Sequence, residues 1–204
     1  VASSQAHVAL RCRICEGRSL REFLNLGDQP WCNDFVTKEQ VGRERRYPLR
    51  LYFCDGCTTI QVGHTIPKEA MFLDHTYLSG TTQTMRAHFA DVAAAADRLM
   101  HSAGRTLKHA LVVDIGSNDG TLLSAFRFTG ARLLGVEPCE KAARVAIAQG
   151  IPTLQKFLNE DVAREIQGEH GAAHLISAAN VFYHVEELHS IMRGMTSLLT
   201  RDGV

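Results

Sequence analysis

Ala110-Leu111-Val112-Val113-Asp114-Ile115-Gly116-Ser117-Asn118-Asp119-Gly120-Thr121 is an apolar run that ends in an acid and breaks at a glycine. A run this short, rich in Leu and Val and closed by glycines, reads as a fully buried parallel strand that feeds a loop and then a helix. Gly116 permits the sharp turn and offers bare backbone to a ligand. Gly120 opens the next helix, where unpaired N–H groups face the loop. A bound ligand is therefore expected here; the alternative is an α/β turn that only packs.

The kind of ligand follows from the charges around that turn. The next strand, Arg132 to Val136, ends in Glu137, seventeen residues after Gly120, and an acid at the tip of a second strand can accept both hydroxyls of a ribose. The dinucleotide fingerprint G-x-G-x-x-G is absent, since Gly116-Ser117-Asn118-Asp119-Gly120 lacks the middle glycine, and the lysine of a phosphate-binding loop is absent too. A pyrophosphate would be repelled by Asp114, Asp119 and Glu137, whereas a cationic sulfonium bearing an ammonium group would not. The reading is S-adenosylmethionine. The D-I-G-S-N-D-G run followed by G-V-E-P also resembles motifs one and two of class I methyltransferases, which places Asp114, Gly116, Asn118, Asp119, Gly120, Glu137 and Pro138 at the cofactor.

Around this stretch the chain keeps an alternating rhythm. Strands are expected at 110–114, 132–136, 151–154 and 174–178, with helices at about 119–128, 139–149, 161–167 and 185–199. That is the pattern of an α/β Rossmann-like parallel sheet, whose right-handed crossovers bring Asp114, Glu137 and Asn180 to one crevice at the carboxyl edge. Before it, a helix capped by Thr81 or Thr82 carries Met85, Phe89, Val92, Ala96 and Leu99 on one stripe and stops at Gly104. The last helix is expected to bury Val185, Leu188, Met192, Met195 and Leu199, with Glu186 and Glu187 capping its first turn. Glu169-His170 reads as a solvated turn before the fourth strand. His184, just after that strand, is either a proton carrier or a histidine hydrogen-bonded near a helix start, and the residues alone do not choose.

The 204 residues are 45% hydrophobic and 22% charged with a formal net charge of zero. This is ordinary globular composition, with no basic excess for nucleic acid, no apolar run of about 18 residues for a membrane span and no signal-peptide pattern. A cytoplasmic setting is expected. In a reducing compartment, the pairs Cys12/Cys15 and Cys54/Cys57 suit one tetrahedral zinc better than disulfides. The 38 residues between the pairs must then fold as a small subdomain. Redox pairs or unrelated buried thiols are the alternatives. Cys32 and Cys139 have no such spacing and read as small buried hydrophobes, and His64 as a surface loop residue. Tyr47 to Phe53 alternates apolar and polar residues into Cys54, as a half-buried strand delivering a metal ligand does.

C-R-I-C, L-G-D-Q-P-W-C-N-D-F, Y-P-L-R-L-Y-F-C-D-G-C with Gln61, Asp74 to Gly80 and Ala179 to Val185 together resemble the nucleotide-sugar C-methyltransferases with a zinc-binding front domain. The resemblance implies a β-rich zinc domain over residues 1–75 and an S-adenosylmethionine domain over 76–204. It lays Tyr77 and Ser79 over the cofactor and tips His184 toward the active site. It implies methylation of a ring carbon in a dTDP-linked keto-deoxysugar, a small-molecule partner, with the zinc purely structural. A class I sheet has seven strands and this family is roughly twice as long, so a fragment is expected, truncated before the fifth strand, lacking the principal base and inactive alone. The rival readings are a methyltransferase of RNA or protein, and a non-catalytic zinc-stapled interaction module.

Overall fold

The computed structural model describes residues 7–8, 11–30, 35–73 and 76–204, so Cys32, Asp74 and His75 lie outside the described residues. The chain divides into two compact units, Val1–Ala70 and Met71–Val204.

The first unit is built on one antiparallel sheet. Strands β2 (Leu20–Pro30), β3 (Arg46–Cys54) and β4 (Ile60–Val62) pair in that order, while β1 (His7–Val8) pairs with β5 (His64–Thr65). His64 therefore belongs to a short strand and is half-buried, not a surface loop residue. The alternation of Tyr47 to Phe53 does form a strand, and it delivers Cys54 fully buried. β2 is exposed along nearly its whole length and bends at register shifts between Glu22 and Leu24 and between Asn25 and Asp28. Among the described residues of this unit the buried ones are Cys12, Cys54, Gln61 and Gly63. No buried aliphatic side chain is among them.

The second unit is a three-layer α/β domain. After α1 (Lys68–Phe72), which spans the division, come α2 (Gln83–Ser102), β6 (Leu111–Ile115), α3 (Thr121–Ala125), β7 (Arg132–Val136), α4 (Glu140–Ala148), β8 (Thr153–Leu154), α5 (Glu160–His170), β9 (Leu175–Ser177) and α6 (Leu188–Leu198). The four strands are parallel in the order β8-β7-β6-β9. Alternation along β6 divides the core. Val112 packs with Phe89, Ala93 and Met100 of α2 and with Leu122, Leu123 and Phe126 on one face. Leu111, Val113 and Ile115 face Val162 and Ile166 of α5 and Ile191 and Leu198 of α6 on the other. Burial on both faces explains why β6 reads as an unbroken apolar run. Val204 already lies beside β9, donating to the His174 carbonyl at 3.1 Å and accepting from the Ile176 N–H at 2.8 Å, the pattern of a parallel neighbour.

Several sequence expectations shift. Thr82 caps α2 through the Met85 N–H, but the helix buries Met100 where Leu99 was expected, and Leu99 is 57% exposed. α3 is a single short helix followed by a 3-10 turn at Arg127–Thr129, because Asp119 and Gly120 are used in the preceding loop. α6 starts at Leu188, since Phe182–His184 forms its own 3-10 turn and Val185 is extended. Its buried residues are consequently Ile191, Gly194 and Leu198, and Met192 is half exposed. Glu187 occupies the N-cap position of α6 without a side-chain cap bond. Glu169 and His170 end α5 and do not form a loop; their side chains pair at 3.8 Å. Among the described residues no helix is long and apolar enough to cross a membrane.

Candidate functional site

The four cysteines Cys12, Cys15, Cys54 and Cys57 bring their sulfurs within 4.8 Å of one another. Cys12 and Cys57 approach to 3.5 Å and Cys15 and Cys54 to 3.6 Å. Four sulfurs at about 2.3 Å from one ion stand about 3.8 Å apart along tetrahedral edges, so the cluster fits zinc. The two knuckles are geometric copies. In each, the N–H four residues after the first cysteine bonds back to that cysteine's carbonyl, Glu16 to Cys12 at 2.9 Å and Thr58 to Cys54 at 2.8 Å, and Glu16 and Thr58 both take positive φ. The first cysteine of each then donates its own N–H five residues forward, Cys12 to Gly17 and Cys54 to Thr59. The thiols differ sharply in acidity. The Gly17 N–H draws Cys15 downward, but the surrounding sulfurs carry it up to about 12, while the Thr59 hydroxyl and N–H pull Cys57 down to about 6.

Gln61, which the sequence marks only as part of a resemblance, holds the first knuckle in place. Its side-chain oxygen accepts the Arg13 N–H at 2.9 Å and its amide donates to the Arg11 carbonyl at 3.2 Å. It is buried, and it grips the backbone on both sides of Cys12. A polar residue inside an apolar strand beside a knuckle was the only available signal.

In the second unit the carboxyl ends of β6, β7 and β9 collect the expected residues. Gly116 turns with φ +65°, and a side chain there would strike Val181 at 2.6 Å, so Val181 covers the face of Gly116 that the sequence reading left bare. This contact also brings the Ala179 to His184 segment against the glycine loop. Asn180 is exposed with φ 59°. Asp114 is 2% exposed and accepts the Ser177 hydroxyl at 2.7 Å, from the residue beside it in the sheet register. Burial pushes its carboxyl up to about 7; the Ser177 hydroxyl opposes this and the Glu137 charge adds to it. Burial likewise raises Glu137 against the N–H groups of Cys139 and Asn118, each donating at 2.8 Å to a different carboxylate oxygen. Each oxygen keeps a lone pair, so the carboxylate can still receive two vicinal hydroxyls. Pro138 and the buried Cys139 lead directly into α4.

Five of the six backbone N–H groups from Gly116 to Thr121 are taken. Gly116 and Ser117 donate to the Val136 carbonyl, Asn118 to Glu137, Gly120 to the Ser117 carbonyl and Thr121 to Asp119. An anion would meet few donors and three acids, whereas a cationic, hydroxyl-bearing ligand meets acceptors. The donor set therefore fits S-adenosylmethionine and not a dinucleotide pyrophosphate. Tyr77 and Ser79 lie against this loop through the side chain of Asn118, whose amide donates to the Tyr77 carbonyl and whose oxygen accepts the Ser79 N–H. His184 stacks edgewise on Phe72 at 5.5 Å and lies 4.1 Å from the ring of Tyr183.

A family model described as "Methyltransferase domain" matches residues 86–204. The chain belongs to the methyltransferase-domain family. A second model, described as "Putative zinc binding domain", matches residues 12–72. S-adenosylmethionine is accordingly the cofactor of this domain, and the four-cysteine cluster is the zinc site. The chain is 28% identical over 194 residues to the C-methyltransferase NovU of Streptomyces niveus, covering 95% of this chain and 45% of that protein. It thus spans a little under half the length of that relative. Among solved structures, the plantazolicin methyltransferase BpumL in complex with SAH is 16% identical over 58% of this chain and 45% of that one, with a TM-score of 0.46. Magnesium protoporphyrin IX methyltransferase from Synechocystis PCC 6803 with bound SAM is 18% identical over 61% of each, with a TM-score of 0.44. Both likenesses are too loose to place a residue.

Proposed function

We propose that the protein is a C-methyltransferase acting on a nucleotide-linked keto-deoxysugar. The observation that carries this reading is the match to a C-methyltransferase through both units, from the zinc module into the residues after β9, and not through the cofactor domain alone. When bound, S-adenosylmethionine supplies an electrophilic methyl on a positive sulfur. Glu137 would take the ribose hydroxyls, and Asp114, Gly116, Asn118, Asp119, Gly120, Pro138 and Asn180, with Ser79, would shape the rest of the cofactor's surroundings. The bound cofactor would supply this methyl to the carbon beside the ketone, and the proton on that carbon would pass to a base. Orientation and stabilisation of the developing oxyanion are the protein's main contributions. Tyr77 and His184 flank the acceptor: the phenol orients the carbonyl oxygen, and the imidazole, held between Phe72 and Tyr183, assists proton movement. Zinc stays out of the chemistry, because four thiolates close its coordination. The zinc module occupies residues 1–75 and the cofactor domain 76–204 in this reading.

The test uses the intact protein with methyl-labelled cofactor and a dTDP-linked 4-keto-deoxysugar. Label should enter a ring carbon, and the hydrogens beside the ketone should exchange with deuterium from solvent. Labelling of RNA or protein with the keto-sugar untouched would overturn the reading.

A further inference from the structure

Three hydrogen bonds join the Tyr77–Gly80 segment to two consecutive side chains of the cofactor loop. Asn118 accepts the Ser79 N–H at 2.9 Å and donates to the Tyr77 carbonyl at 3.0 Å. Asp119 accepts the Gly80 N–H at 2.8 Å on one oxygen and the Thr121 hydroxyl at 2.6 Å on the other. Further along, Arg86 of α2 donates to the Gly80 carbonyl and Thr81 bonds the Leu78 carbonyl at 2.7 Å. The segment is thus fastened to the loop on one side and to the start of α2 on the other.

We infer that Asn118 and Asp119 are positioning residues, whose side chains strap the Tyr77–Gly80 segment onto the glycine loop and so set where Tyr77 and Ser79 stand relative to the cofactor. This deepens the methyltransferase reading and rests on it. Three observations separate the role from direct cofactor binding. The polar ends of both side chains are turned to protein groups, not to the crevice. Asn118 sits at φ 51°, a left-handed conformation that asparagine tolerates, and this aims its amide at the strap. Gly80 lies so close that a Cβ there would stand 2.4 Å from the Thr121 hydroxyl and 3.0 Å from the Asp119 carboxylate. Any side chain at residue 80 would therefore lift the strap. The link also runs to the cofactor's ribose acceptor, because Glu137 holds the Asn118 N–H. Donor and acceptor sides of the reaction are joined through one residue.

The experiment compares wild-type intact protein with Asn118→Ala, Gly80→Ala and the double variant Gly80→Ala/Thr121→Ala. Three readouts are taken: amide exchange at Ser79 and Gly80 without cofactor, S-adenosylmethionine affinity by calorimetry, and kcat against KM. Each single variant should speed exchange at the two strap amides about tenfold or more, the loss expected for one hydrogen bond. Each should lower kcat about 10- to 100-fold, as small displacements of positioning groups do, while cofactor affinity changes less than about threefold. Removing the Thr121 hydroxyl should restore strap protection and part of kcat to Gly80→Ala, an outcome general destabilisation does not produce. Strap amides that exchange in Asn118→Ala and Gly80→Ala as they do in wild type would overturn the inference. So would a cofactor affinity that collapses in Asn118→Ala with kcat at saturation unchanged. Failure of wild-type protein to bind S-adenosylmethionine would instead strike the cofactor reading, since strap protection is measured without it.

Discussion

The two units of this chain are held by different physics. In the sheet domain, β6 is buried on both faces and two apolar layers close over it, so large side chains such as Phe126, Met100 and Leu123 are almost completely hidden. In the front module the buried described side chains are two cysteines and a glutamine, and large apolar side chains such as Phe23, Leu24 and Leu26 remain 40% or more exposed. A sheet that hides so little apolar surface cannot offset the entropy of ordering its backbone without a staple. Sulfur–metal bonds replace a core in one unit, and hydrocarbon contact supplies it in the other.

Stripping the metal should break this contrast most visibly. Chelation, or Cys54→Ser, removes a term that for structural zinc is about 10 to 16 kcal/mol in apparent binding. The expected result is one zinc per chain before treatment and, after it, loss of amide protection in the front module alone, with the β6 and β7 amides still protected. Simultaneous unfolding of both units would mean that the contrast is wrong. The mirror experiment is Phe126→Ala, which should destabilise the sheet domain by about 3 to 5 kcal/mol, as for other buried aromatic truncations, and leave zinc content unchanged.

Acidity sharpens the comparison within the sheet domain. Asp114 is buried and its carboxyl is raised to about 7, so the folded state holds that proton more firmly than the unfolded chain does. The favourable contribution is complete below the ordinary carboxyl range and fades as pH rises toward about 7. The unfolding free energy of the sheet domain, measured by urea titration, should therefore fall between pH 4 and pH 7 by an amount on the order of a few kcal/mol at most, and Asp114→Asn should flatten that slope. Glu137→Ala should weaken S-adenosylmethionine binding by about 1 to 3 kcal/mol, the cost of unpaired polar partners, as read by calorimetry. Smallest of all, Gln61→Ala should cost the front module about 1 to 2 kcal/mol and speed zinc release to a chelator, because the backbone around Cys12 loses both of its amide contacts.

The sequence by itself determined the parts whose signal is local. The buried strand, expected at 110–114 and found at Leu111–Ile115, the span of Arg132–Val136, a threonine cap at Thr81 or Thr82 that proves to be Thr82, and the two cysteine pairs follow from periodicity, capping and ligand spacing, each of which acts within a few residues. The acids around the glycine turn also sufficed to favour a cationic cofactor over a pyrophosphate, because net charge needs no coordinates. Tertiary structure alone decided what each polar side chain touches. Asn118 and Asp119 turn to a strap some 40 residues earlier in the chain, Gln61 reaches 48 residues back to Arg13, and Asp114 is acidic in composition yet buried against Ser177. The same limit applies to helix faces. Met100 is buried in place of Leu99 at the end of α2, although Met85, Phe89, Val92 and Ala96 pack as expected, and Ile191 is buried in place of Met192 in a helix that starts three residues later than the sequence suggests. A hydrogen bond across such distances is set by where the fold brings two backbones together, and a pattern of residue types carries no record of that meeting.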